Sequence, residues 1–256
     1  MGDVLMEYNV CWEQFKRSFA IVKKNVRIYY SKGPVIIFGL LVPFFLFLSF
    51  YIGRNMPAEA FVPGLLGMTA FFTATSVGPA IVPWEARART LERLMSSPIS
   101  VWTIFLGDVL SSFLFGALVS VFPVLVGLSI GVEIANPLLL GLGILLATFC
   151  FASFSILLSA YPPTDTPASV MMLSSMIKFP LVFISGIFIP IEELPVWGKI
   201  VSSISPLTYF TDLARYAIQG NGYYSIGLDL VVLTAFAIVF LVTAIKIHER
   251  TLQKRL

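Results

Sequence analysis

The sequence predicts an all-α integral membrane protein with six transmembrane helices. Three observations carry that prediction. Mean hydropathy is +0.90, with 57% apolar and only 12% charged residues, against roughly 25% charged in soluble domains. Uncharged runs long enough to cross a bilayer recur along the chain. The basic residues between those runs are distributed very unevenly. No stretch is left over for a sizeable soluble domain, so residues 1–256 read as one transmembrane domain.

Residues 12–32 read as an N-terminal interfacial amphipathic helix. Trp12, Phe15, Phe19, Val22, Val26 and Tyr29 recur at steps of three and four, while Lys16, Arg17, Lys23, Lys24 and Arg27 fill the other side. Aromatic side toward the acyl boundary and basic side toward anionic headgroups, such a helix lies on membrane lipid. A nucleic-acid-binding arm is the other use of a basic helix, and the aromatic seam argues against it. The first 30 residues carry charges where a cleavable signal needs an apolar core, so none is expected.

Six spans follow, at about 34–53, 61–83, 101–131, 137–160, 169–190 and 226–247. Pro43 predicts a kink in the first, and Gly64, Gly67, Gly78 and Pro79 soften the second. The third is too long for the bilayer: at 1.5 Å per residue it approaches roughly 46 Å against about 30 Å of hydrocarbon. Its first turns are expected to project from the membrane. Between the second and third spans lies a charged island, Trp84 to Pro98. As one helix over 84–97 it places Trp84, Ala88, Leu91 and Met95 on one face. Glu85 and Arg89 stand four apart in the favourable order, and Pro98 is a stop signal.

Counting Lys and Arg orients the chain. Thirteen fall on one side: six before the first span, Arg87, Arg89 and Arg93 in the island, and four from Lys246 onward. Arg54, Lys199 and Arg215 fall on the other. The expectation is a multi-pass protein of the cell membrane with both termini and the island in the cytoplasm. The long outer connection, 191–225, carries Leu194, Trp197, Val201 and Ile204 at helical steps, then after Pro206 Leu207, Phe210, Ala214 and Ala217. Two short amphipathic helices are expected over 191–220, re-entrant and packed on the bundle because bare backbone cannot sit in lipid. Gln219-Gly-Asn-Gly222 ends the second.

The chemistry-bearing residues are few. No phosphate loop, G-x-S-x-G or H-E-x-x-H motif occurs, and a lone His248 with Cys11 and Cys150 composes no metal cluster. Neither a disulfide framework nor a cofactor in this chain is expected. Two charges fall inside spans, Asp108 and Lys178, at matching depths of roughly 12 and 15 Å. Either they pair and line a polar path, or Asp108 sits in water on the projecting turns and Lys178 snorkels or bonds a carbonyl near Pro180.

Two stretches carry a family resemblance. Glu85 to Leu106, EARARTLERLMSSPISVWTIFL, presents Glu, Thr-Leu-Glu-x-Leu and Ser-Pro-Ile-Ser. Ser185 to Arg215 presents Ser-Gly, Pro190, Leu194-Pro195, Pro206-Leu-Thr-Tyr209 and Arg215. Together they resemble the membrane subunits of ABC exporters of the type-two permease family, across nearly the whole chain. The resemblance implies that the island is a coupling helix whose Glu85, Arg89, Thr90, Leu91, Glu92 and Arg93 dock into a separate ATP-binding cassette subunit. It implies two copies of that subunit, which supply ATP and magnesium, and a second permease, as a homodimer. The interfacial helix would make a second contact, and the outer helices would cap the exit path. Family members often carry a basic residue near Asp108, so the resemblance gives Asp108 no role.

The function expected is therefore export of amphipathic or lipophilic small molecules, with no catalysis in this chain. Phe44, Phe45, Phe47, Phe71, Phe72, Phe179 and Phe183 suit such cargo, and equally suit lipid-facing packing. Saccharide on a lipid carrier and sodium are the alternative cargoes. A membrane-embedded enzyme built on Asp108, Lys178 or Asp165 would need polar residues clustered at one depth. An ion-coupled transporter would show an internal two-fold repeat. Neither pattern is found.

Overall fold

The computed structural model describes residues 2–52, 57–160 and 166–251. Arg54, Asp165, Lys254 and Arg255, and the side chains of Cys11 and Phe47, lie outside what is described. Every regular element among the described residues is helical. Five stretches there are long and apolar enough to cross a membrane: Glu59–Arg87, Val101–Ser129, Pro137–Ser159, Pro167–Ile184 and Ile226–Thr251.

The chain opens with α1 (Gly2–Asn25), which starts ten residues earlier than the aromatic repeat suggests and passes into a π-helical turn, Val26–Tyr30. Next comes α2 (Gly33–Tyr51), which continues through Pro43. The second predicted span is two helices, α3 (Ala58–Ala74) and α4 (Gly78–Arg87). A proline at 79 has no N–H to return to the carbonyl of Thr75, so the helix breaks there. The island is not the single helix that its apolar spacing predicts. α4 runs on to Arg87, and a separate turn, α5 (Thr90–Met95), follows a break at Arg89. The overlong third span divides at Ser120 into α6 (Val101–Val119) and α7 (Val121–Ser129). α8 (Pro137–Ser159) and α9 (Pro167–Ile184) match the next two predicted spans closely, though α9 stops six residues short.

The long connection after α9 holds α10 (Val196–Ser202) and α11 (Pro206–Gln219), and α12 (Ile226–Thr251) follows. α11 behaves as its pattern predicts. Leu207, Phe210, Ala214 and Ala217 are fully buried against α3, α8 and α12, and Gly220 caps the helix in the left-handed region at φ +78°. α10 does not. Its inward residues are Gly198 and Ser202, and Trp197 and Ile204 point outward at 71% and 64% exposure. Two small residues bring α10 close to the bundle and free its large apolar side chains for lipid.

The core sits where α3, α8 and α11 meet. Phe71 stands edge-on to Phe151 at 5.1 Å, and Phe151 to Phe210 at 6.0 Å. The α3–α4 stretch is 89% buried over its most apolar window and α12 only 17%, which makes the first central and the last peripheral. α1 does more than lie on the membrane: its Ser18, Ile21, Val22 and Asn25 are buried, and it packs along α6. Gly107 permits that approach, since a Cβ there would stand 2.5 Å from Ile21 Cβ and 2.9 Å from the Ser18 carbonyl. A backbone atom cannot step aside as a side chain can, so Gly107→Ala should force α1 off α6. The expected cost is about 1–3 kcal/mol, read as a lower unfolding midpoint and faster proteolysis within residues 12–32 of the purified chain.

Candidate functional site

The island takes its shape from α1. Three sets of bonds staple that helix to the segments around the island. First, Gln14 Oε1 accepts from the Ser100 N–H at 3.1 Å and the Thr103 hydroxyl at 2.9 Å, which caps the start of α6. Arg17 donates to the carbonyl of Pro98, and Gln14 Nε2 approaches the same oxygen at 3.4 Å. Second, Lys24 forms an ion pair with Glu85 of α4, whose side chain is 2% exposed. Third, Asn25 Nδ2 donates to Asp108 Oδ1 at 2.6 Å and to the Ser111 hydroxyl at 3.1 Å.

The π-helical turn completes the seam. Its wider winding aims two successive tyrosines at different neighbours. Tyr29 stacks on Trp84 with ring centroids 5.4 Å apart, and Tyr30 shares a 2.6 Å hydrogen bond with Ser112. Burial first, then the carboxylates of Glu85 and Asp108, push the Tyr29 phenol above its ordinary range, so it stays neutral.

These contacts correct several expectations. Glu85 does not pair with Arg89 or face outward; it is buried against Lys24. Leu91 is 1% exposed, packed among Val82, Phe105 and Ile156, and anchors α5 to the body. Trp84, Ala88, Leu91 and Met95 share no face, because the helix is interrupted between them. What remains free on the island is Arg87, Arg89, Thr90, Glu92 and Arg93, all exposed. Arg89 holds φ +54°, a conformation that costs a non-glycine residue of order 1 kcal/mol and that persists only when the surroundings impose it. Here Leu91 pulls α5 inward and the Thr90 hydroxyl reaches back to the Glu85 carbonyl at 3.3 Å.

Asp108 and Lys178 do not meet. Asp108 is fully buried at the α1–α4–α6 junction, not in water on a projecting turn. Lys178 does bond a carbonyl, but that of Thr75, at 3.1 Å. This is the carbonyl that Pro79 leaves without a donor. The lysine also lines a cavity of about 320 Å³ between α2, α4 and α9, whose walls include Val42, Phe72, Trp84, Phe179 and the hydroxyls of Ser76 and Ser175.

The residues around α10 and α11 form a second polar cluster. Arg215 on α11 donates to the Gly186 carbonyl at 2.5 Å, where Gly186 turns the chain at φ +71°. Asp212 accepts the backbone N–H groups of Tyr223 and Tyr224 at 2.9 and 2.8 Å and so holds the turn into α12. Pro190, Pro195 and Pro206 each precede or open a short helix, Leu194 is half-buried between the first two, and the Tyr209 hydroxyl donates to the Ser203 carbonyl at 2.9 Å. Gln14, Asn25 and Ser100 were missed from sequence. Each polar side chain is unremarkable until its partner, more than eighty residues away, is known.

The described residues thus form an all-helical protein with several candidate membrane spans and a stapled charged segment. The comparisons make the class specific. Residues 10–218 match the model of the ABC-2 type transporter, and the chain belongs to that family. It is 28% identical over 163 residues to YbhR of Escherichia coli K12, named as a probable multidrug ABC transporter permease, a match covering 60% of this chain and 42% of that one. It is 24% identical over 203 residues to ycf38 of Cyanophora paradoxa, by name a transport permease, covering 73% and 69%. Nodulation protein J of Rhizobium meliloti is 27% identical over 167 residues, covering 61% and 60%. The chain thus spans less than half the length of YbhR.

The staple itself is testable. Lys24→Met leaves Glu85 buried without its counter-charge and should lower stability by about 3 kcal/mol, at the modest end for a buried pair because Lys24 keeps contact with water. Lys24→Met/Glu85→Met together should recover most of the loss in a thermal-unfolding double-mutant cycle.

Proposed function

We propose that this chain is the transmembrane permease of an ATP-driven exporter of amphipathic or lipophilic small molecules. Hydrolysis takes place in a separate ATP-binding cassette subunit, two copies serving a pair of permeases, each of this sequence. Six spans complete the architecture: the five apolar stretches above and α2, whose sequence from Gly33 to Tyr51 carries no charge. The basic excess supports a cytoplasmic side for both termini and the island, with α10–α11 then outside, over the exit.

The observation that carries this reading is the exposed tip Arg87–Arg93. It is mixed in charge, bent at a strained residue, and held by buried contacts of Leu91, Glu85 and α1. A rigidly mounted charged protrusion suits a partner that pushes on it. Docking then involves Arg89, Thr90, Glu92 and Arg93, while Glu85 and Leu91 mount the tip from behind. Movement of α4 passes directly to the cavity, since Trp84 is in its wall and adjoins Glu85 in the chain. Apolar walls with one ammonium favour cargo that has an apolar body and an anionic or acceptor end. Lys178 has three donors and spends one on Thr75.

Two experiments test this. In the assembled complex, Arg89→Ala/Arg93→Ala should weaken co-purification of the ATP-binding subunit about tenfold, as loss of a modest interface anchor does, with the permease still folded by its unfolding midpoint. Undiminished binding and hydrolysis would leave the island a topology signal only. Lys178→Met should reduce affinity for anionic fluorescent amphiphiles about tenfold relative to neutral ones of equal hydrophobicity. Equal losses for both would remove Lys178 from the cargo path.

A further inference from the structure

The junction of α1, α4 and α6 encloses more negative than positive charge. Lys24, Glu85 and Asp108 meet there, two anions and one cation. Glu85 and Asp108 are 2% and 0% exposed, and Asn25 beside them is 0% exposed. The bonds already described occupy one oxygen of each carboxylate: Lys24 holds Glu85 Oε1 and Asn25 Nδ2 holds Asp108 Oδ1. Three oxygens remain buried with no hydrogen-bond partner, Glu85 Oε2, Asp108 Oδ2 and Asn25 Oδ1.

No neighbouring group brings a second positive charge. The Ser111 hydroxyl donates to the Gly107 carbonyl, and the Ser112 hydroxyl is engaged with Tyr30 and the Asp108 carbonyl. Tyr29 and Tyr30 are neutral phenols that bring no charge: Tyr29 lies against both carboxylates and is hydrogen-bonded to Glu85, and Tyr30 lies near Asp108 with its hydroxyl on Ser112. Turning the Asn25 amide over would set oxygen against Asp108 Oδ1, so its orientation is fixed by the bond it makes. Buried polar atoms are nearly always satisfied, and an enclosed charge without its counter-charge costs several kcal/mol. Three orphaned oxygens beside one surplus negative charge are a donor set for a hard cation.

We infer that this junction binds one monovalent cation, a proton or an alkali-metal ion, on Asp108 Oδ2, Glu85 Oε2 and Asn25 Oδ1. The bound charge neutralises the cluster and ties α1 to α4 and α6 at the same moment. The site stands apart from the cavity at Lys178 and needs neither cargo nor an ATP-binding subunit.

The test uses the full chain in lipid nanodiscs. Thermal unfolding is followed by tryptophan fluorescence while choline chloride is exchanged for lithium, sodium or potassium chloride at constant ionic strength. Infrared spectra of wild type and Asp108→Asn are compared under the same conditions. If the charge is an alkali ion, one of the metals raises the wild-type midpoint saturably by about 5 °C, and Asp108→Asn does not respond. If it is a proton, no metal acts, and wild type shows a buried carboxylic-acid carbonyl band that Asp108→Asn lacks. Should Asp108→Asn fail to fold, Glu85→Gln removes the same surplus charge and must give the same two results. Absence of both a metal response and an acid band overturns the inference, as does a metal response that persists in either variant.

Discussion

The ion pair between Lys24 and Glu85 constrains this structure more than any other contact. A carboxylate at 2% exposure on an otherwise apolar stretch is tolerable only where a counter-charge reaches it. Lys24 can reach it only if α1 lies along α6, and that needs a glycine at 107. Once α1 is so placed, Gln14 arrives at the start of α6, Asn25 at Asp108, and the π turn at Trp84 and Ser112. One electrostatic demand thus sets the position of some thirty residues and the angle at which the island leaves the body.

Coarse architecture was legible because it follows from composition. Apolar runs marked the five stretches long and apolar enough to cross a membrane, and the Gly220 stop and the buried row of α11 followed from local chemistry. Pro79 carried a readable signal for the α3–α4 break, since a proline must strand the carbonyl four residues earlier. That Lys178, 103 residues on, satisfies this carbonyl could not be read from the chain. Glu85 misled for a definite reason. Its local spacing to Arg89 fits a surface pair worth a few tenths of a kcal/mol, and a buried pair formed across 61 residues outweighs that. The break at Arg89 followed from the same competition, with Leu91 drawn into the core against the helix's own continuation.

The exposed surfaces complement these buried ones. α1 keeps Trp12 and Phe19 outward, as α10 does Val196, Trp197 and Ile200, with Ile204 just beyond it. Both helices therefore present large apolar side chains on their outer surfaces. α4 is the element common to the charged tip, the stapled junction and the cavity wall. Trp84 lies in the last turn of α4, five residues before the break at Arg89.

The lodging of α11 bears on how the protein is made. Its apolar row sits against α3 and α8, both synthesised earlier, and against α12, which follows it. A ribosome that has released residues 206–219 has produced a helix with two of its three walls in place and the third still in the exit tunnel. α12 therefore supplies its wall only after α11 has been made. Until α12 is in place, Phe210 and Leu213 lie in a groove that lacks one of its three helices.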